Sequence, residues 1–190
     1  MTRNRLEAFS DGVIAIIITI MVLELKVPHQ ATWSALRDLL PLFLSYALSF
    51  VYVGIYWNNH HHMLHAVTRV NGAVLLANLH LLFWLSLIPF ATGWMGVNHF
   101  APIPVSVYGV SLLMPAIAYF ILSRVLSAVH GPESRVAQAL GSDFKGKISI
   151  VAYVVGLVAA SWMPWVALST YILVALVWLV PDRRFEQVLE

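Results

Sequence analysis

Between Arg69 and Arg124 the chain runs VNGAVLLANLHLLFWLSLIPFATGWMGVNHFAPIPVSVYGVSLLMPAIAYFILS, Val70 to Ser123, 54 residues without one Asp, Glu, Lys or Arg. As a single helix it would reach about 80 Å, against about 30 Å of bilayer hydrocarbon, so it must fold back on itself. The turn residues Gly93-Trp94-Met95-Gly96 through Pro102-Ile103-Pro104 place the reversal there. One spanning helix is expected over 69–93 and another over 105–127.

The whole chain agrees with that stretch. Of its 190 residues 60% are apolar and 11% charged, where soluble domains carry about 45–50% and about 25%. So few charged side chains cannot cover a soluble fold of this size. The chain is read as an all-α, polytopic integral membrane protein. It has no cysteine, which removes disulfides, thiolate metal sites and a cysteine nucleophile. A net charge of +2 with no Lys/Arg run gives no nucleic-acid patch. No nucleotide loop, catalytic carboxylate pair or Ser-His-Asp arrangement is apparent, so no enzymatic role is expected.

Charge positions mark the other spans. The start, Met1-Thr-Arg-Asn-Arg, looks like a signal peptide, but Glu24, Lys26 and Pro28 follow in place of a small-residue cleavage site. It is taken as a retained first helix over 6–27. A second span is expected over 36–63. From Ile148 to Val180 a charge-free run of 33 residues is again too long for one crossing, and Pro164 between Trp162 and Trp165 marks a hairpin between spans over 144–163 and 165–181. The expectation is one membrane domain, 1–190, with six spans and no internal repeat. Lys and Arg fix its orientation. With the N-terminus inside, the inner side collects Arg3, Arg5, Arg69, Arg124, Arg135, Lys145, Lys147, Arg183 and Arg184, and the outer side only Lys26 and Arg37. Both termini are expected in the cytoplasm.

The first span differs from the rest. Its unbroken apolar stretch, Gly12 to Leu23, is 12 residues, or about 18 Å. Asp11 and Glu24 therefore sit near or within membrane depth, where a charge is tolerated facing a bundle interior or water. Arg5 and Phe9 share a helix face, while Arg5 and Asp11 are about 240° apart and cannot pair. By depth, Trp57, His60, His61 and Asn78 are candidate partners for Asp11. A structural hydrogen-bond cluster, a titrating or gating role and interfacial exposure all stay open for it. Ile16, Thr19, Ile20 and Leu23 form one stripe at helical spacing, and the Thr19 hydroxyl has the alternative of bonding the carbonyl one turn back. His61 and His65, four apart, have a spacing that chelates a divalent metal. An interfacial histidine cluster whose first members, His60 and His61, bond the first span accounts for them better, and no metal site is expected. Histidine there also suits pH sensing.

Arg5-x-x-x-Phe9-Ser10-Asp11 opening the first of six spans resembles the signature of the transmembrane protein 175 family of potassium channels. Trp57-x-x-His60-His61 closing the second span, with Asn78 and Pro89-Phe90 in the third, is similar in placement. The likeness covers residues 3–90 by motif and the later spans by topology alone. It implies a homotetramer in the inner (plasma) membrane whose first helices line a central pore passing K⁺ and other monovalent cations. It implies Ile16 as the narrowest ring, Ile20 and Leu23 as further rings, and Thr19 as a hydroxyl layer. Arg5, Phe9, Ser10 and Asp11 would anchor that helix against Trp57, His60, His61 and Asn78. No cofactor is implied beyond the permeant ion. Apolar rings gate by dewetting and do not replace a hydration shell, so selectivity for K⁺ over Na⁺ should be modest. A proton- or divalent-metal-coupled secondary transporter is the alternative, opposed by a first helix without Pro or Gly from Val13 to Leu25. A non-transporting membrane scaffold is the other.

Overall fold

The computed structural model describes residues 2–134, 137–138 and 143–180; Arg135, Arg183, Arg184 and the expected end of the last span at 181 lie outside them. Among the described residues the chain is helical, with no strand. In order the helices are α1 (Arg3–Leu23), α2 (Trp33–Asp38), α3 (Leu40–His65), α4 (Gly72–Leu85), α5 (Ile88–Val97), α6 (Pro102–His130), α7 (Phe144–Ala160) and α8 (Pro164–Leu179). Among the described residues four segments are long and apolar enough to cross a bilayer: α1, α3, α4 with α5 as one shaft over Gly72–Val97, and α6; α8 is apolar but shorter.

Prolines and caps set these boundaries more than hydrophobicity does. Helix α1 stops at Leu23, short of the expected 27, because Glu24 and Lys26 leave the apolar run and Pro28 biases its predecessor away from helical backbone. What reads as one span from 36 is two helices. Thr32 caps α2 by accepting from the Ala35 N–H at 3.3 Å, and Pro41 starts α3 afresh. The third span likewise begins at Gly72, capped by Asn71, and is interrupted at Ser86–Leu87 ahead of Pro89. The Ser86 hydroxyl donates to the Phe83 carbonyl at 2.7 Å and so occupies one acceptor at the break.

The chain reversal between α5 and α6 lies later than expected. Gly93 to Gly96 is helical, and the turn runs through Asn98 to Ala101, where His99 and Phe100 take positive φ of 50° and 59°. The glycines serve contact instead. A Cβ at Gly96 would stand 2.6 Å from Leu42 Cα, so α5 touches the backbone of α3 there. Gly93 lies under the Glu24 carboxylate, with Oε2 3.5 Å from where a Cβ would be. Gly54, in contrast, faces open space.

Two buried clusters fill the bundle. One joins α1, α3, α4 and α6 through Ile14, Ile17, Met21, Val53, Leu81 and Leu122. The other joins α3, α5, α6, α7 and α8 around Tyr52, Tyr108, Tyr153 and Tyr171. Between them the Ser49 hydroxyl meets Thr92 Oγ1 at 2.7 Å and the Tyr108 hydroxyl at 2.9 Å, a closed polar knot at membrane depth. His130, the last residue of α6, ties down the α3–α4 connection. Its Nδ1 donates to the Leu126 carbonyl at 2.9 Å, and Nε2 accepts the Thr68 and Arg69 N–H groups, each at 3.1 Å.

The Gly96 contact is testable. Gly96→Ala forces backbone against backbone and should cost about 1–3 kcal/mol, read as a lowered thermal midpoint in detergent. Gly54→Ala, with nothing within 4 Å of the new methyl, should leave the midpoint unchanged or raise it.

Candidate functional site

Helix α1 has one face buried and one bare. Leu6, Ser10, Ile14, Ile17 and Met21 are buried at three- and four-residue spacing against α3, α4 and α5. Arg5, Phe9, Gly12, Ile16, Thr19, Ile20 and Leu23 lie along an exposed stripe on another side of the same helix. Ile16 is 58% exposed and Leu23 76%, although α1 is held by neighbours along its length.

The hold is polar at the N-terminal half. The Ser10 hydroxyl donates back to the Leu6 carbonyl at 2.8 Å, and its oxygen accepts from Asn78 Nδ2 at 3.0 Å. With that amide nitrogen donating, Asn78 Oδ1 faces His60 Nε2 at 2.7 Å and must accept, so Nε2 carries the proton. Ser10, His60 and Asn78 are all fully buried. A run of bonds thus crosses from α1 through α4 to α3. Asp11, half-buried, accepts from Trp57 Nε1 at 3.1 Å.

Three residues outside the predicted set extend this into a zipper. Glu7 Oε1 meets His61 Nδ1 at 3.0 Å, Arg3 Nε lies 3.9 Å from Glu7 Oε2, and Arg3 Nη1 donates to the His65 carbonyl at 3.1 Å. Arg3, Glu7 and Asp11 step up α1 by four, while His65, His61 and Trp57 step down α3 by four, so each rung meets the next across antiparallel helices. On α3 the rings stack, His61 lying 5.6 Å from His65 and 6.2 Å from Trp57 between centroids. The equal spacing of the two strips was the signal in the sequence for Arg3, Glu7 and His65.

The structure therefore brings Ser10, Asp11, Trp57, His60, His61 and Asn78 to one seam. Arg5 and Phe9, expected with them, are exposed on the bare stripe, since residues 5 and 9 stand one position, about 100°, from Leu6 and Ser10. Thr19, exposed, donates back to the Ile16 carbonyl at 2.9 Å. His80 is half-buried and accepts from Trp84 Nε1 at 2.8 Å on its own helix. Among the described residues no three His, Asp or Glu side chains converge as a metal site requires.

The profile of a family described as endosomal/lysosomal potassium channel TMEM175 matches residues 5–89, the elements that carry the zipper and the Ser10–Asn78–His60 run. A Chryseobacterium protein named as a potassium channel is 57% identical over 190 residues, covering 100% of this chain and 99% of that one. This chain belongs to the TMEM175 family. A Streptomyces collinus member, also named as a potassium channel, is 34% identical over 124 residues, 61% of this chain and 60% of its own. The crystal structure of a lysosomal potassium-selective TMEM175 homolog from Chamaesiphon minutus superposes with a TM-score of 0.82 at 27% identity, covering 95% of this chain and 97% of that one. The family fold thus reaches through α6, α7 and α8, beyond the span of the motifs.

Within this family member the Ser10–Asn78–His60 run should carry measurable stability. Asn78→Ala strands two buried polar groups and should cost about 1–2 kcal/mol. Arg5→Ala, on the bare stripe, should cost under about 0.5 kcal/mol. Reversible unfolding in mixed micelles compares them; equal losses would show that the run does not hold α1.

Proposed function

We propose that this chain is the subunit of a passive potassium channel, a homotetramer in which the bare stripe of α1 from each copy faces a common axis. The observation that carries it is the stripe itself. A helix anchored by buried polar bonds leaves Ile16, Ile20 and Leu23 uncovered, and Thr19, Arg5 and the neighbouring Glu24 add polar groups that a lipid-facing surface avoids. Relatives named as potassium channels support the choice of ion.

One chain supplies one such helix, so a closed pore needs several copies around an axis. In that arrangement Ile16 forms the main constriction, Ile20 and Leu23 form outer rings, and Thr19 places a hydroxyl layer between them. Branched apolar rings dewet and block ions when narrow, and admit water and partly hydrated cations when slightly wider. The Glu24 carboxylate near the outer mouth and Asp11 near the inner end favour cations over anions. Discrimination between K⁺ and Na⁺ is modest because no ring of carbonyls strips the ion. The assembly is a six-span protein of the plasma membrane with both termini in the cytoplasm. It is no enzyme, and it needs no cofactor beyond the permeant ion.

Ile16→Asn should wet the constriction and raise K⁺ leak through proteoliposomes by about tenfold or more, while Ile14→Val, on the buried face, should change it little. Unchanged flux in Ile16→Asn, or saturable uptake coupled to a second gradient, would overturn the proposal. Native mass in detergent reads the copy number directly, and bi-ionic reversal potentials should show cations strongly preferred over anions.

A further inference from the structure

A second concave space lies away from the α1 stripe, between α3, α6, α7 and α8. Its walls are mainly the side chains of Tyr52, Tyr56, Tyr119, Phe120, Tyr153 and Trp178, and Asp143 is among its lining residues. The room open to the centre of a water molecule is about 40 Å³, where one water needs about 10–15 Å³. The space is therefore a slot for a few heavy atoms.

Its chemistry is one-sided. Trp178 Nε1 donates to Ser149 Oγ at 2.8 Å, the Tyr119 hydroxyl to the Asn59 carbonyl at 3.2 Å, and Asn59 Nδ2 to the Ile55 carbonyl at 2.8 Å. The Tyr52 hydroxyl is committed to the Tyr171 carbonyl. With these donors used, the Asn59 amide oxygen, the Asp143 carboxylate, the Tyr56 hydroxyl oxygen and ring faces, whose quadrupoles are negative, can accept from an occupant. Among the described residues no Lys or Arg lines the slot. The chain itself uses two of the rings to hold cations: Arg124 Cζ lies 5.0 Å from the Phe120 centroid and Lys145 Nζ 5.9 Å from that of Trp178.

The carboxylate is also built into place. Asp143 has φ of 42° and caps α7, its Oδ1 accepting the Gly146 N–H at 3.3 Å. A Cβ at Gly146 would stand 2.5 Å from Oδ2, so the glycine keeps the seat of the carboxylate clear. An aromatic cage with most of its donors committed to the chain and one positioned carboxylate is an arrangement that recognises an ammonium group.

We propose that this slot binds the ammonium end of an organic amine carried on a short apolar stem. The stem packs on Tyr56 and Tyr119, and the positive head lies against the tyrosine faces toward Asp143. The site is independent of the conduction proposal, because it lies on other helices and is read by binding and not by flux. A free amine and an ethanolamine lipid headgroup share this chemistry.

The test uses the full chain in nanodiscs of phosphatidylglycerol, a lipid without an amine, titrated calorimetrically with n-propylammonium and with its neutral analogue 1-propanol. The amine should bind saturably, at least about tenfold tighter than the alcohol. Asp143→Asn keeps both the cap and a residue that tolerates positive φ, and should weaken the amine about tenfold without altering the thermal midpoint. Tyr56→Leu should weaken it, and Tyr56→Phe should retain it. Equal affinity for amine and alcohol, or amine binding indifferent to Asp143→Asn (as at a site in the central pore), would overturn the assignment. Phosphatidylethanolamine added to the nanodiscs then separates the sources. If it displaces n-propylammonium the natural occupant is the headgroup, and if it does not the occupant is a free amine; either result upholds the ammonium site.

Discussion

The antiparallel match between Arg3, Glu7 and Asp11 on α1 and His65, His61 and Trp57 on α3 fixes how α1 is turned about its own axis. An apolar helix has no such preference by itself: any of the faces between Gly12 and Leu23 is greasy enough to pack or to meet lipid. The polar rungs select one orientation, and the Ser10–Asn78–His60 run beneath them locks it from α4. Once the first three turns are fixed, the remaining turns follow at 100° per residue, so Ile14, Ile17 and Met21 go inward and Ile16, Ile20 and Leu23 stay uncovered. Specificity is thus set at the polar end of α1 and expressed at its apolar end.

Neighbouring helices meet this arrangement at close range. Helix α5 approaches α3 at Gly96 and receives the Glu24 side chain over Gly93. The break at Ser86–Leu87 divides the third span into a piece that packs along α6 and a piece that packs mainly along α3, so one crossing serves two partners. The hydroxyl knot of Ser49, Thr92 and Tyr108 marks where the second piece meets both α3 and α6.

Much of this was legible in the chain, for identifiable reasons. Charge-free runs too long for one crossing marked where the chain reverses, and Pro164 marked the start of the last helix. Asp11 announced itself as a membrane-depth carboxylate needing a partner, and Trp57 stood at matching depth. The reversal after α5 was misplaced because Gly93 and Gly96 look like turn residues; glycine serves close helix approach as well as turns, and only the neighbour decides which. The actual turn at Asn98-His99-Phe100 carries no glycine, and its one signal was Pro102 biasing Ala101 toward extended backbone. Glu7 and Arg3 escaped because they read as an ordinary solvated first turn. The aromatic slot was invisible, since its walls come from four helices whose mutual rotation no periodicity reports.

The early stop of α1 shapes the end of the bundle where that helix finishes. Leu23 is its last helical residue, and the side chain of the next residue already reaches Gly93, yet α5 climbs another turn to Val97 before it bends toward α6. The four residues between Gly93 and Val97 rise about 6 Å. In a ring of four copies the central helices would therefore end in a sunken floor beneath a taller collar. Bulk water filling that basin shortens the dry path, and a given transmembrane voltage, worth about 2.3 kcal/mol per unit charge per 100 mV, would then fall over fewer ångströms of greasy throat.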